Sequence, residues 1–506
     1  MSDKYLIFSR NNIIRPVFVI DKVGNSKILE LTKDEAMEYV ERKNKVIGKF
    51  FFYCMSMDEW QNQIKQSMDC EDYDDKFQEE LYKQIMENSD LRKKINDDIQ
   101  ERDNNINGFS LPIVVRSNKE YKEKLKQKLM DYANAINKPA FKSENNLICD
   151  VENICNTIIN TLDLIISGKC VEADKLLADL IDSYLNHEFG VTELDKCYAF
   201  RGVSPLEKLY TSVLDEELYE DMMNDELDFF RGRVEDKDKV EDIKGIISLP
   251  YCKKELSKDL RFSLKGEICL YLGATSYVCS QECRWDKSQK MYISAFRFNE
   301  EGKKLRILNL TISEALINGV YQKGIDNEYK SKLQDMMIRL FPLVIATSFT
   351  VTSSDNVREK DYKEKVKYEY LLSQRLIKAI QMAKIDGVAY LSRQGANDFQ
   401  YPHGVNLAIP MNDISEDKEY SDLYKCFKIT KPVLINDKIV DTELPWGEVS
   451  YINKKYTKYL SGYGDNKFHN TMAEVKFGGE NVFYGEISYS KMDNYLVSQK
   501  YDYFEI

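Results

Sequence analysis

The spacing of apolar and polar positions divides the chain into a helical first part and a mixed second part. Residues 4–8 and 14–20 carry the short apolar runs expected of strands. Helical spacing then takes over. Thr32 with Glu35 has the pattern of a capping box and predicts a helix over 33–45, and Ser56 with Glu59 does the same for 57–68. From 75 to 103, Phe77, Leu81, Ile85, Leu91 and Ile95 recur at roughly helical spacing among charges. This predicts a long amphipathic helix with a break near Asn88-Ser89-Asp90. Asn104 to Gly108 reads as a loop and a first boundary. Further helices are predicted over 118–137, 147–166, 171–186 and 206–223. Pro139 closes the first of these, since the residue before a proline is pushed out of the helical region. Ser167-Gly168 separates the second and third, and Pro205 suits the start of the fourth.

The pattern changes at Phe229 to Val234. Strand-like runs follow at 244–248, 268–272, 291–297 and 305–310, and Thr311 with Glu314 predicts a short helix. Residues 331–348 and 361–384 read as helices, and Asp386-Gly387 turns the chain into a strand at 388–392. Another strand is expected over 405–409. The last hundred or so residues hold strand-like pieces at 427–430, 433–435, 472–476 and 482–488. The expected class is α+β, divided as 1–107 (a strand pair and helices), 108–225 (helical) and 226–506 (a mixed domain).

Composition narrows the functional classes. A chain of 506 residues calls for two or three domains. With 43% apolar residues and 31% charged residues of both signs, it reads as globular rather than disordered. The net charge of -12 argues against a general nucleic-acid binder, but a nucleotide pocket needs only a few local cations. The 11 cysteines include no CxxC pair. Cys279 and Cys283 lack a second pair with histidine support, so reduced thiols are expected rather than zinc. The first residues have no basic n-region, and no stretch reaches about 18 apolar residues, so no membrane partner and a cytoplasmic location are expected. The helical part offers no catalytic group and reads as a scaffold or a partner-binding module, with His187 a surface residue.

Candidate chemistry gathers in Arg261 to Trp285. Arg261, Tyr271 and Glu282 lie within about twenty residues, on a strand and the element after it. A pocket that binds an anionic nucleotide and works on a sugar bond needs these types. The cation serves phosphate, the aromatic ring serves a heterocycle, and the carboxylate serves sugar hydroxyls or a developing positive charge. Each also has a plain structural use: a surface Glu, an arginine ion pair, a core Tyr. No Gly-rich phosphate loop occurs.

Laid end to end, residues 226–412 resemble the RES domain family. Phe230-Arg231-Gly232-Arg233 looks like its opening Arg motif, and Ile247 to Tyr251 followed by Arg261-Phe262-Ser263 looks like the block leading to its second Arg. Cys269 to Gly273 looks like its Tyr strand, and Glu282 stands in the place of its Glu. Tyr368 to Gln374 and then Asp386 to Ser392 look like its distal helix and strand, ending in its Ser. Many members carry Gly before the second Arg and Asn two residues after it; here Leu260 and Ser263 stand there. The resemblance implies a fold like that of ADP-ribosyltransferases and an attack on NAD at its nicotinamide–ribose bond, with water or phosphate as acceptor. It also implies a toxin, usually paired with an antitoxin, for which the helical part would be one contact surface. NAD is then a substrate, and no cofactor or metal is expected. Glu282 would be the catalytic carboxylate, Arg261 and Arg231 (or Arg233 in its place) would hold the diphosphate, and Tyr271 would line the nicotinamide pocket. Ser392 would bind ribose or phosphate, Glu369 would make an ion pair, and His403 is a spare candidate. Two other functions fit the same residues: an ADP-ribosyltransferase acting on a macromolecule, and a non-catalytic nucleotide-binding protein.

Overall fold

The computed structural model describes residues 5–9, 18–20, 26–28, 30–47, 52–56, 106–137, 147–185, 189–201, 226–235, 240, 242–286, 288–314, 316–317, 327–351, 367–393, 404–411, 418–435, 474–477, 480–483 and 488–504. The helices expected over 57–68, 75–103 and 206–223, together with His187 and His403, lie outside these residues.

The first strands are β1 (Tyr5–Ser9), β2 (Phe18–Ile20), β3 (Ser26–Ile28) and β4 (Glu30–Leu31). Helix α1 (Lys33–Ile47) and β5 (Phe52–Ser56) follow. β1 lies between β4 and β5 in an antiparallel sheet, and β2 pairs with β3. The capping box forms as expected: Glu35 Oε2 accepts from the Thr32 amide (2.9 Å) and the Thr32 hydroxyl (2.8 Å).

Next come β6 (Ile113–Val115), α2 (Asn118–Ala135), α3 (Leu147–Ile166) and α4 (Cys170–Asp182). Gly168 ends α3 at φ +81° while the Lys169 amide donates to the Leu164 carbonyl (2.9 Å), a left-handed cap that favours glycine. β7 (Val191–Glu193), α5 (Tyr198–Arg201), β8 (Asp228–Val234) and α6 (Ile243–Ile246) lead to β9 (Cys269–Gly273). After them come α7 (Ser276–Glu282), β10 (Met291–Phe298), β11 (Arg306–Leu310), α8 (Asn327–Ala346) and β12 (Phe349–Val351). The described chain closes with α9 (Tyr368–Met382), β13 (Gly387–Leu391), β14 (Val405–Pro410), β15 (Phe427–Thr430), β16 (Val433–Ile435), β17 (Glu474–Phe477), β18 (Glu480–Phe483), α10 (Ser488–Ser498) and β19 (Tyr501–Tyr503). The class is α+β.

Among the described residues the main sheet runs β19-β15-β10-β8-β9-β14-β13-β11-β7, with β16 also on β10. β11 and β13 run parallel, and the other neighbours run antiparallel. β8 and β9 meet at one described pair, Phe230 opposite Gly273. A buried core runs from Ile106 to Phe504 and takes in apolar side chains of α2, α3, α4, α8 and α9. β7 pairs with β11, and β6 pairs with β12. Apolar side chains of the helical segment and of the sheet-bearing segment thus contribute to one buried cluster.

Three local expectations are corrected. Residues 244–248 do not form a strand; 243–246 form the short helix α6, because the Asp242 carboxylate accepts from the Gly245 amide (2.8 Å) and caps a turn. The cap after β11 is Ser313, whose hydroxyl accepts from the Leu316 amide (3.1 Å), while the Thr311 hydroxyl donates back to Asn309 (2.6 Å). The strand expected over 482–488 ends at Phe483, and α10 follows it. Tyr489, Met492, Asp493 and Leu496 give α10 its buried face at helical spacing.

Helix α10 fastens α7. Asp493 is fully buried and its Oδ1 accepts from the Ser276 amide (2.9 Å), one of the donors that a helix N-terminus leaves open. The Ser276 hydroxyl donates to the Tyr489 carbonyl (3.3 Å), and the Tyr277 and Tyr489 rings lie 5.3 Å apart. Asp493→Ala leaves a buried amide without this acceptor. The expected cost is about 1–3 kcal/mol, read as a lower urea midpoint.

Candidate active site

Helix α7 reaches the sheet through two glycines. A Cβ at Gly273 would stand 2.4 Å from Val278 Cγ1 and 2.9 Å from Cys279 Sγ; one at Gly232 would stand 2.2 Å from Met291 Cε and 3.2 Å from Cys279 Cβ. The missing side chains let the helix lie directly on β8 and β9. Its N-terminus is capped by Thr275, whose hydroxyl accepts from the Val278 amide (3.1 Å). At its other end Arg284 takes a left-handed conformation (φ 48°), and the Trp285 amide donates to the Ser280 carbonyl (3.0 Å). Both ends are thus defined, and Glu282 is the last helical residue.

The Glu282 carboxylate lands beside the sheet. Its Oε1 accepts from Asn406 Nδ2 at 2.9 Å. Asn406 is buried on β14, opposite Tyr390 of β13 on one side and Gly273 of β9 on the other. Residues opposite one another in a sheet share a face, so Tyr390, Asn406 and Gly273 lie together, with Tyr271 on the same face two residues before Gly273. Burial, and then the Glu282 charge, push the Tyr390 phenol well above its ordinary range, while Arg261 pulls it the other way.

Arg261 is anchored by its own bonds. Its Nη1 donates to the Thr347 carbonyl (3.0 Å), its Nη2 donates to the Phe349 carbonyl (3.0 Å), and its guanidinium lies 5.0 Å from the centre of the Tyr370 ring. The next residue, Phe262, packs its ring 4.6 Å from that of Tyr390. The Tyr271 hydroxyl accepts from the Phe262 amide (3.2 Å) and shares a hydrogen bond with the Ser263 hydroxyl (3.0 Å). Burial raises the Tyr271 phenol well above its usual range, so it stays protonated. Ser392 is buried, and its amide donates to the Gly404 carbonyl (2.7 Å), which extends the β13–β14 ladder two residues past Tyr390. Glu282, Tyr271, Arg261 and Ser392 are in this way gathered around Tyr390 and Asn406. Helix α2 reaches the same neighbourhood. Burial, and then Glu369, raise the phenol of Tyr121, Arg261 lowers it, and its ring meets that of Phe349 edge-on at 4.9 Å.

Arg231 and Arg233 stand elsewhere. Strand alternation puts them on the face of β8 opposite to Phe230 and Gly232. Arg231 donates to the carbonyls of Ile246 (2.6 Å) and Tyr271 (2.9 Å), and Arg233 donates to that of Gly245 (2.8 Å). The two guanidiniums brace the carbonyl end of α6. Burial pushes the Cys283 thiol up to about 11, Arg231 lowers it and Glu282 raises it. Glu369, expected in an ion pair, is buried without a salt bridge among the described residues.

Sequence reasoning missed Asn406, Tyr390 and Tyr370. A polar amide inside the apolar run Val405 to Ile409 was a readable signal. The two tyrosines carried none, since a buried aromatic on a strand or helix is ordinarily core.

Burial makes several of the described thiols poor nucleophiles. Burial pushes Cys155 and Cys269 up to about 12 and Cys279 well above its usual range. Iodoacetamide on the native protein near neutral pH is expected to label exposed Cys149 and Cys252 and to spare Cys155, Cys269 and Cys279. Peptide mass mapping checks this. Among the described residues no group of three His, Cys, Asp or Glu side chains could hold a metal ion, and no helix is long and apolar enough to cross a membrane.

Comparison with known proteins finds no matching family model and no matching solved structure. A curated protein of Bacillus subtilis (strain 168), named "Putative toxin YopC", is 26% identical over 212 residues. The match covers 40% of this chain and 46% of the relative, so the chain spans less than half of that protein's length.

Proposed function

We infer that this chain is a toxin-like enzyme that cleaves the nicotinamide–ribose bond of NAD, with Glu282 as the catalytic carboxylate. One observation carries the reading: Glu282 Oε1 accepts from Asn406, which lies opposite Tyr390 in the sheet, while Phe262, the neighbour of Arg261, packs its ring 4.6 Å from that of Tyr390. A charge that stabilises an oxocarbenium-like ribose and a charge that holds diphosphate thus flank one aromatic patch. Nicotinamide leaves as a neutral molecule, so the reaction asks for no general acid at that end. The carboxylate would hold ribose hydroxyls and stabilise the positive charge that develops as the bond breaks. A guanidinium carries five donors, and the Thr347 and Phe349 carbonyls take two bonds from Arg261, so donors remain for phosphate oxygens. Tyr271 and Tyr390 would supply the wall against nicotinamide, and Ser392 a contact to ribose or phosphate. In this reading Arg231 acts from the far face, by holding the backbone of β9 at Tyr271. The name of the Bacillus relative supports the toxin-like part.

The test is NAD consumption by the purified protein, with and without inorganic phosphate, and the products weighed by mass spectrometry. Nicotinamide with ADP-ribose marks a hydrolase. ADP-ribose phosphorylated at its anomeric carbon marks a phosphorylase. ADP-ribose attached to an added protein or nucleic acid marks a transferase. Absence of nicotinamide release under all three conditions counts against the reading.

A further inference from the structure

We propose that Asn406 is a positioning residue of this site: its side-chain amide holds the Glu282 carboxylate in one orientation without adding charge to it. This rests on the reading of Glu282 given above. Asn406 is 4% exposed and is the second residue of a strand whose other residues, Val405 and Leu407 to Pro410, are apolar and buried. A buried amide is costly unless it is bonded, and its Nδ2 spends a donor on Glu282 Oε1 at 2.9 Å. Glu282 comes from 124 residues earlier in the chain, so the bond is a deliberate meeting of two elements and no accident of local sequence. The strand opposite offers no side chain at that level, because Gly273 is the partner of Asn406. The space beside Asn406 is entered instead by α7, which rests on Gly273 through Val278 and Cys279. The glycine therefore admits the helix, and the asparagine receives the acid at its end. Tyr390 closes the other flank. A neutral donor suits this task better than Lys or Arg, which would neutralise the carboxylate that the chemistry uses.

The experiment compares wild type, Asn406→Ala and Asn406→Asp in NAD turnover across pH, beside urea unfolding of wild type, Glu282→Ala, Asn406→Ala and the double variant. Asn406→Ala is expected to lower kcat about tenfold or more with little change in KM, since orientation and not binding is lost. Asn406→Asp keeps the shape and faces Glu282 with a second carboxylate. The acidic limb of its pH–rate profile is expected to move up by about one unit, a readout that a merely structural asparagine would not change. In unfolding, the shift in urea midpoint of the double variant is expected to fall short of the summed single shifts. Variants that turn over NAD like wild type with an unmoved acidic limb overturn the proposal, and so do additive midpoint shifts. A wild type that leaves NAD intact overturns the NAD reading instead, and the unfolding cycle then decides the Asn406–Glu282 bond alone.

Discussion

Glu282→Gln is expected to lose NAD cleavage while keeping the fold. Gln has the size of Glu, and its side-chain carbonyl still accepts the Asn406 amide, so the contact at 2.9 Å survives. The packing of α7 on Gly232 and Gly273 does not involve the Glu282 head group. What disappears is the negative charge that Asn406 holds. Preorganised electrostatic groups of this kind are worth about a hundred- to a thousandfold in kcat, and a loss of at least that size is expected here. The measurement is kcat by nicotinamide release, with the thermal midpoint taken on the same preparation. Wild-type turnover by the variant would remove Glu282 from the chemistry. A collapsed thermal midpoint would make it a structural residue.

Gly273→Ala is expected to cost both stability and turnover. The added Cβ meets Val278 Cγ1 at 2.4 Å, Cys279 Sγ at 2.9 Å and the Thr275 carbonyl at 3.2 Å. Val278 and Cys279 are both buried, and the carbonyl is backbone, so no neighbour can swing aside; α7 itself must lift. Overpacking of this kind costs about 1–3 kcal/mol. A lifted α7 also withdraws Glu282 from Asn406, so turnover is expected to fall along with the urea midpoint. Gly232→Ala is the control. Its closest neighbour is the terminal methyl of Met291, the far end of a flexible side chain, and a smaller loss is expected. Equal losses at the two positions would mean that α7 does not sit on β9 as described.

The elements of the second part were largely legible because their signals are local. Apolar runs bounded by turns located β9, β10, β11, β13, β14, β15 and β16 to within a residue or two. Where a cap competed with apolar spacing, spacing misled: Asp242 turned Ile246 and Ile247 away from a strand, and the helical stripe of α10 was masked by neighbouring strand-like residues. Of the candidate site, Arg261, Tyr271, Glu282 and Ser392 were named from motif order. Their convergence on Tyr390 and Asn406 was not readable, since it depends on the strand order β9-β14-β13, which no local spacing encodes. Arg231 and Arg233 shared a motif with a glycine, but strand alternation sends their side chains to the far face, where they hold carbonyls.

The bond between Asp493 and the Ser276 amide joins residues 217 positions apart, and it bears on how the protein is made. A ribosome that has passed Asn406 has already delivered Arg261, Tyr271, Glu282, Tyr390 and Ser392. The helix that aims Glu282 still lacks its clamp until Asp493 clears the exit tunnel. In an unfinished nascent chain α7 therefore lacks one of its N-terminal acceptors, and Glu282 sits on a helix that has not yet been fastened.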